Sequence, residues 1–160
     1  MPPIISIVGK SGSGKTTFIE RLIPELKKRG YKIGTIKHTV HNFDFDKPGK
    51  DSWRHKRSGA DAVIIASNNK FSMVKETDPT TLDDFKPYFE DMDLVITEGY
   101  KTENKPKIEI IRSGRSPVPL DLKLEERLAL VTDTEVGIDI PRFGLEDIAK
   151  VADLIERKFL

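Results

Sequence analysis

Eight consecutive residues, Gly9-Lys10-Ser11-Gly12-Ser13-Gly14-Lys15-Thr16, carry the densest chemistry in the chain. They fit the G-x-x-x-x-G-K-[ST] pattern, whose glycines let backbone N–H groups curl around a β-phosphate. In such a loop Lys15 reaches the β- and γ-phosphates and the Thr16 hydroxyl completes a Mg²⁺ shell. A nucleoside triphosphatase needs a further carboxylate near the metal, usually at the end of a neighbouring buried strand. Leu94-Val95-Ile96-Thr97-Glu98-Gly99 supplies one: Glu98 ends an apolar run, and Gly99 permits close approach of the γ-phosphate. Glu98 would hold Mg²⁺ through water or position the attacking water.

Other constellations are less specific. His38, His41, Asp44 and Asp46 share the polar stretch from Lys37 to Lys50. Asp44 and Asp46 could approach the metal as a switch loop does. The same four residues have the chemistry of a transition-metal site, though their spacing matches no strong ligand signature. Polar loop packing is the third reading, with Phe43 and Phe45 as anchors. Asn69-Lys70-Phe71-Ser72 approaches the N-K-x-D box that reads guanine, but Ser72 replaces the Asp and the stretch precedes the acid strand. Asp133, leaving the late run Leu128 to Val131, is better placed to read a guanine edge; a turn-forming Asp is the equal alternative. Cations scatter from Lys101 to Lys123, including Arg112 and Arg115. Such a scatter reads either as a solvated face or as a grip on an anionic ligand.

These groups need a scaffold. Ile4 to Val8 is a β-branched run ending in the Gly-rich turn, so it reads as a buried strand. Phe18, Ile19, Leu22, Ile23 and Leu26 then recur at helical spacing, Gly30 stands as a C-terminal cap, and Pro24 is expected to kink or end the helix. Ile33 to Ile36, Ala62 to Ala66, Leu94 to Thr97, Ile108 to Ile111 and Leu128 to Val131 read as strands, with Phe71 to Val74 antiparallel to the second of them. Ser52 to Ser58 and Leu82 to Phe89 read as short helices. A final helix carries Leu145, Ile148, Ala149, Ala152, Ile155 and Phe159 on one face. Strands alternating with helices predict an α/β fold with a mostly parallel sheet and an antiparallel extension, in the three-layer style of P-loop proteins.

Composition narrows the class. The chain sets 27 Lys+Arg against 26 Asp+Glu, without the basic excess of a nucleic-acid binder. Its 160 residues suit a single nucleotide-binding domain spanning 1–160. No Cys is present, so no thiolate site or disulfide framework exists, which suits a reducing, cytoplasmic setting. Ile4 to Val8 is too short to span a bilayer, so no membrane partner is expected.

The chain resembles the molybdopterin-guanine dinucleotide biosynthesis protein B family, MobB. The likeness rests on Val8 to Thr17, Ile36-Lys37-His38-Thr39, Phe43 to Ser52, Ser58-Gly59-Ala60 and Val95 to Lys101. It implies a homodimeric, GTP-binding P-loop protein with weak intrinsic hydrolysis. Its partners would be molybdopterin or its guanine dinucleotide and the molybdenum cofactor guanylyltransferase, beside which it acts as an adapter. The family's phosphate loop falls on Gly12, Ser13, Gly14, Lys15, Thr16 and Thr17, and its acid-Gly motif on Glu98 and Gly99. Val40 stands where the family often has a second His. On the residues alone, the metal set is Thr16, Asp44, Asp46 and Glu98, and the catalytic pair is Lys15 and Glu98. Slow turnover has a rationale: no cis arginine finger and no well-placed glutamine are evident, with only Arg54 or Arg57 to supply the charge. A small-molecule kinase on this fold, or a nickel-insertion GTPase using His38, His41 or His55, are the alternatives.

Overall fold

The β-branched run from Ile4 forms β1 (Ile4–Val8), buried along its whole length. The hydrophobic period then changes, and α1 (Lys15–Lys28) buries Phe18, Ile19, Leu22 and Leu26. The expected interruption at Pro24 does not end this helix, which continues to Lys28. Proline lacks the N–H that would bond to the Glu20 carbonyl, but both residues are exposed, so water can satisfy that carbonyl. Termination comes at Gly30, at φ 98°. There Tyr31 donates its N–H to the Leu26 carbonyl and Gly30 to that of Lys27, the Schellman pattern.

The computed structural model describes residues 2–39, 43–44, 46–77, 81–115 and 117–160. The remaining elements are β2 (Ile33–Lys37), α2 (Asp51–Arg57), β3 (Ala62–Ala66), β4 (Phe71–Lys75), a 3₁₀ helix Leu82–Phe89, β5 (Leu94–Glu98), β6 (Lys107–Ile111), a 3₁₀ turn Leu124–Glu126, β7 (Arg127–Thr132), β8 (Arg142–Phe143) and α3 (Ile148–Phe159). They divide into two compact units, one of the residues up to His38 with Phe85–Leu160, the other Thr39–Asp84.

The first unit holds a sheet of order β2-β5-β1-β6-β7-β8, with every pair parallel. Ile5, Ile7, Leu94, Ile96, Ile108 and Ile110 pack with the apolar stripes of α1 and α3 on one face. The stripe of α3 consists of Ile148, Val151, Ala152, Leu154 and Ile155. Ala149, expected on it, is exposed, and Leu145 precedes the helix. On the opposite face, irregular chain around 120–122 and 136–140 packs beside β6 and β7. A buried ion pair, Arg127 to Glu109 at 3.0 Å, ties that chain down: Glu109 accepts the Leu120 N–H, while Arg127 donates to the Leu120 and Leu122 carbonyls. Lys107, fully buried, likewise pairs with Glu126 at 3.1 Å and donates to the Glu103 and Lys105 carbonyls, which removes it from the solvated scatter. Each buried charge is paired, as burial demands.

In the second unit β3 and β4 pair antiparallel as a sheet of their own, Ile64 facing Met73 and Ala66 facing Phe71. Lys56 of α2 forms an ion pair with Glu76 at 2.7 Å in the same unit.

Candidate nucleotide site

Side chains alternate along a strand, so the residue that follows the core-facing ones at a strand's end emerges on the same face. After Leu94 and Ile96 that residue is Glu98; after Ile108 and Ile110 it is Arg112; on β7 it is Asp133, after Val131. All three stand at the C-terminal edge of the sheet on the α1 side, where α/β sheets bind ligands.

The phosphate loop occupies that edge after β1. Gly9, Gly12 and Gly14 take φ values of 152°, 74° and 93°. A Cβ on Gly9 would lie 2.6 Å from both the Ile110 carbonyl oxygen and Ser13 Oγ, so a side chain has no room there. Gly14 is the N-cap of α1, no side chain caps the helix, and its first turn carries no acid. Its opening N–H groups and positive dipole end are therefore open to an anion. Lys15 Nζ spans the loop, donating to the Gly9 carbonyl at 3.2 Å and the Lys10 carbonyl at 2.9 Å. Burial lowers the Lys15 pKa; Glu98 opposes that shift, while Lys101 and Lys37 add to it. Ser13 donates its N–H to the Lys10 carbonyl, and its buried hydroxyl has no partner among the described residues. Thr16 and Thr17 are exposed at the start of the helix.

Glu98 meets this loop directly. The Thr16 hydroxyl donates to Glu98 Oε1 at 2.9 Å, and Lys37 Nζ lies 3.7 Å from the same oxygen. Strand register enforces the second contact, since Lys37 is the β2 partner of Glu98. A hydroxyl and a carboxylate so close are hard oxygen donors of the kind Mg²⁺ takes, so the donor set fits that ion. Gly99, at φ 98°, donates its N–H to Ile7. A Cβ there would stand 3.3 Å from the His38 Cβ. His38 in turn donates its N–H to the Glu98 carbonyl and sets its ring 4.9 Å from that of Tyr100. Tyr100, at φ 53°, is the single non-glycine residue with positive φ among those described. Strain of this kind gathers at functional sites. The sequence gives no signal of that strain, and it shows Lys37 only as part of the run Ile36-Lys37-His38-Thr39.

Asp44 and Asp46 belong to the second unit. Asp44 is exposed, and Asp46 Oδ1 accepts the Lys47 N–H at 2.8 Å. Phe43, expected as an anchor, is 66% exposed. His41, Val40 and Phe45 lie outside the described residues. No group of three or more His, Cys, Asp or Glu side chains suited to a metal ion occurs among the described residues.

On the other side of the loop, Asp133 Oδ1 accepts the Ser113 N–H at 2.7 Å. That bond, with a smaller contribution from Arg112, holds the carboxyl below its ordinary range. A carboxylate with one such bond keeps lone pairs for a ligand. Asp133 also lines a cavity of about 370 Å³ with Thr132, Thr134, Glu135, Arg142, Phe143 and Gly144. Its strand is two places from β1, roughly 10 Å away at normal strand spacing. That is the order of length between the β-phosphate and the base of a nucleotide. The short strand β8, absent from the sequence reading, supplies Arg142 and Phe143 of this lining.

Residues 4–133 match the family model described as molybdopterin guanine dinucleotide synthesis protein B, MobB. The chain belongs to the MobB family. Among relatives, the molybdopterin-guanine dinucleotide biosynthesis adapter protein of Haemophilus influenzae is 41% identical over 96% of this chain and 88% of its own length. The protein of the same name from Escherichia coli is 36% identical, over 97% and 92%. A crystal structure titled molybdopterin-guanine biosynthesis protein B superposes with a TM-score of 0.74 at 33% identity, covering 96% of this chain and 97% of the other. Bacillus subtilis MobB gives 0.78 over 99% and 98%, at 24% identity, and so speaks to the fold. The P-loop architecture with its parallel sheet is thus the MobB fold, and the stretch matched includes the phosphate loop, Glu98 and Asp133.

Proposed function

We propose that the chain binds Mg²⁺-GTP at the C-terminal edge of its sheet, hydrolyses it weakly, and serves molybdopterin guanine dinucleotide synthesis as an adapter. The observation that carries this reading is the 2.9 Å contact between Thr16 and Glu98, which joins the phosphate loop to the acid of the neighbouring strand. Gly12, Ser13, Gly14, Lys15, Thr16 and Thr17 cradle the phosphates, and Thr16 and Glu98 hold the metal. Mg²⁺, when bound, neutralises charge on the β- and γ-phosphates. Gly99 leaves room at the γ-phosphate, and Asp133 reads the guanine edge above its cavity.

The adapter role is supported by relatives that carry that description over almost the whole chain. Its partners are molybdopterin or its guanine dinucleotide and the molybdenum cofactor guanylyltransferase, and the setting is cytoplasmic. No helix among the described residues is long and apolar enough to cross a membrane. The chain works as one nucleotide-binding domain and as a homodimer. Supporting self-association, the β3–β4 pair leaves Ile64, Ile65 and Phe71 at 60%, 50% and 64% exposure. A lone two-stranded hairpin is marginal in water and gains from a partner.

Calorimetric titration with GTP, XTP and ATP, in Mg²⁺, tests the reading. GTP is expected to bind in preference to ATP, and Asp133→Asn to lose the preference for GTP over XTP. Equal affinity for ATP and GTP, or an intact GTP preference in the variant, would remove Asp133 as the base reader.

A further inference from the structure

Two cations of the apparent scatter lie against the phosphate loop. Arg112 Nη1 and Cδ are both 3.8 Å from where a Cβ of Gly14 would stand. Arg115 Nη1 is 3.7 Å from the corresponding point on Gly12. Strand alternation explains Arg112, which follows Ile108 and Ile110 on the α1 face. A turn explains Arg115, whose N–H bonds to the Arg112 carbonyl at 3.2 Å and so brings both side chains to one side of the loop.

Four of the nine arginines form ion pairs among the described residues, and these two are not among them. Arg21, Arg29, Arg127 and Arg142 are each held by a carboxylate. Among the described residues no carboxylate forms an ion pair with Arg112 or Arg115; Asp133 feels Arg112 only as a nearby charge. Arg112 instead stands beside Gly14, the N-cap of α1 that no side chain caps, and Arg115 beside Gly12 of the same loop, which also holds Lys15. Like charges gathered around N–H groups repel, and a polyanion seated between them turns that repulsion into attraction. Guanidinium suits the role, because its planar fork matches phosphate oxygens.

We propose that Arg112 and Arg115 form a second phosphate-gripping element, supplied in cis by the turn after β6, that contacts the polyphosphate of the bound nucleotide. The proposal rests on the nucleotide-site reading above and adds to it. Arg54 and Arg57, the cations to which the sequence pointed, lie in the second unit, and Arg57 stacks 5.1 Å from the Trp53 ring centre.

The test is calorimetric titration of the full-length protein with Mg²⁺-GTP, GDP and inorganic tripolyphosphate. The proteins compared are the wild type, R112Q/R115Q, R112K/R115K and Lys15→Ala, with thermal melts as a check on folding. Both arginines are exposed, so the melts are expected to coincide. R112Q/R115Q should bind all three ligands at least about 10-fold more weakly, with R112K/R115K recovering part of the loss. Binding within twofold of wild type in R112Q/R115Q, while Lys15→Ala has lost it, would overturn the proposal and leave the nucleotide site standing. A loss confined to GTP and GDP, with tripolyphosphate unaffected, would also overturn it, since the pair would then act on base or ribose. Undiminished GTP binding in Lys15→Ala would instead remove the site itself. Should R112Q/R115Q melt early, R112K/R115K decides: it keeps both charges but not the fork, so wild-type affinity for GDP at every salt concentration contradicts a guanidinium grip.

Discussion

Glu98 lies at the junction of two demands. Its strand ends in register with Lys37, and its carboxylate accepts the Thr16 hydroxyl at the mouth of the phosphate loop. In the proposed function a carboxylate so placed acts on the metal or on water rather than on the base. Glu98→Gln keeps the shape and removes the charge, so GTP affinity should stay within a few-fold while hydrolysis falls about 10-fold or more and its Mg²⁺ requirement weakens. Single-turnover rates across a Mg²⁺ series check this; an unchanged rate and metal dependence would leave Glu98 with a structural role. The sequence shows Lys15, Thr16, Glu98 and Asp133 because each belongs to a local pattern: a loop signature, or an acid closing an apolar run. Arg112 and Arg115 show there only as two cations of a scatter, and Lys37 and Tyr100 only inside longer runs, because their importance comes from neighbours distant in the chain. Arg112 reaches Gly14, and Tyr100 meets His38, only after the strands align.

Elements follow the same division. Runs with strong periodicity, such as Ile4–Val8 and Lys15–Lys28, are legible because burial of one face selects the element. Pro24 fails as a stop signal because the carbonyl it leaves unpaired faces solvent. The α3 stripe shifts to include Val151 and Leu154 because the sheet, rather than helical spacing alone, decides which residues are covered. β8, of two residues, is too short to carry a pattern and exists through its pairing with Leu130 and Val131. Gly34 shows packing at this scale. It is the β2 residue over which Phe89 lies, and a Cβ there would sit 2.4 Å from Phe89 Cδ1. Gly34→Ala should therefore destabilise the protein by about 1–3 kcal/mol through overpacking. A urea titration measures it, and a midpoint equal to wild type would mean that the Phe89 ring moves aside freely.

For the molecule as a whole, a net charge of +1 conceals separation of roles. Cations gather around the phosphate loop, while buried charges such as Lys107 and Arg127 are spent on holding chain against the sheet. The β3–β4 hairpin leaves Ile64 and Phe71 on one face, uncovered in the single chain. Association through that face predicts that Ile64→Lys with Phe71→Glu yields a monomer by light scattering with GTP affinity unchanged; a persistent dimer would place the interface elsewhere.

The phosphate-loop site stands or falls on Lys15, whose ammonium bridges the Gly9 and Lys10 carbonyls. Calorimetric titration of Mg²⁺-GTP into Lys15→Ala, beside the wild type, is the most direct measurement. Loss of binding by at least about 100-fold, in a protein that still folds, is the result expected; micromolar affinity retained in the variant would contradict the phosphate-loop site.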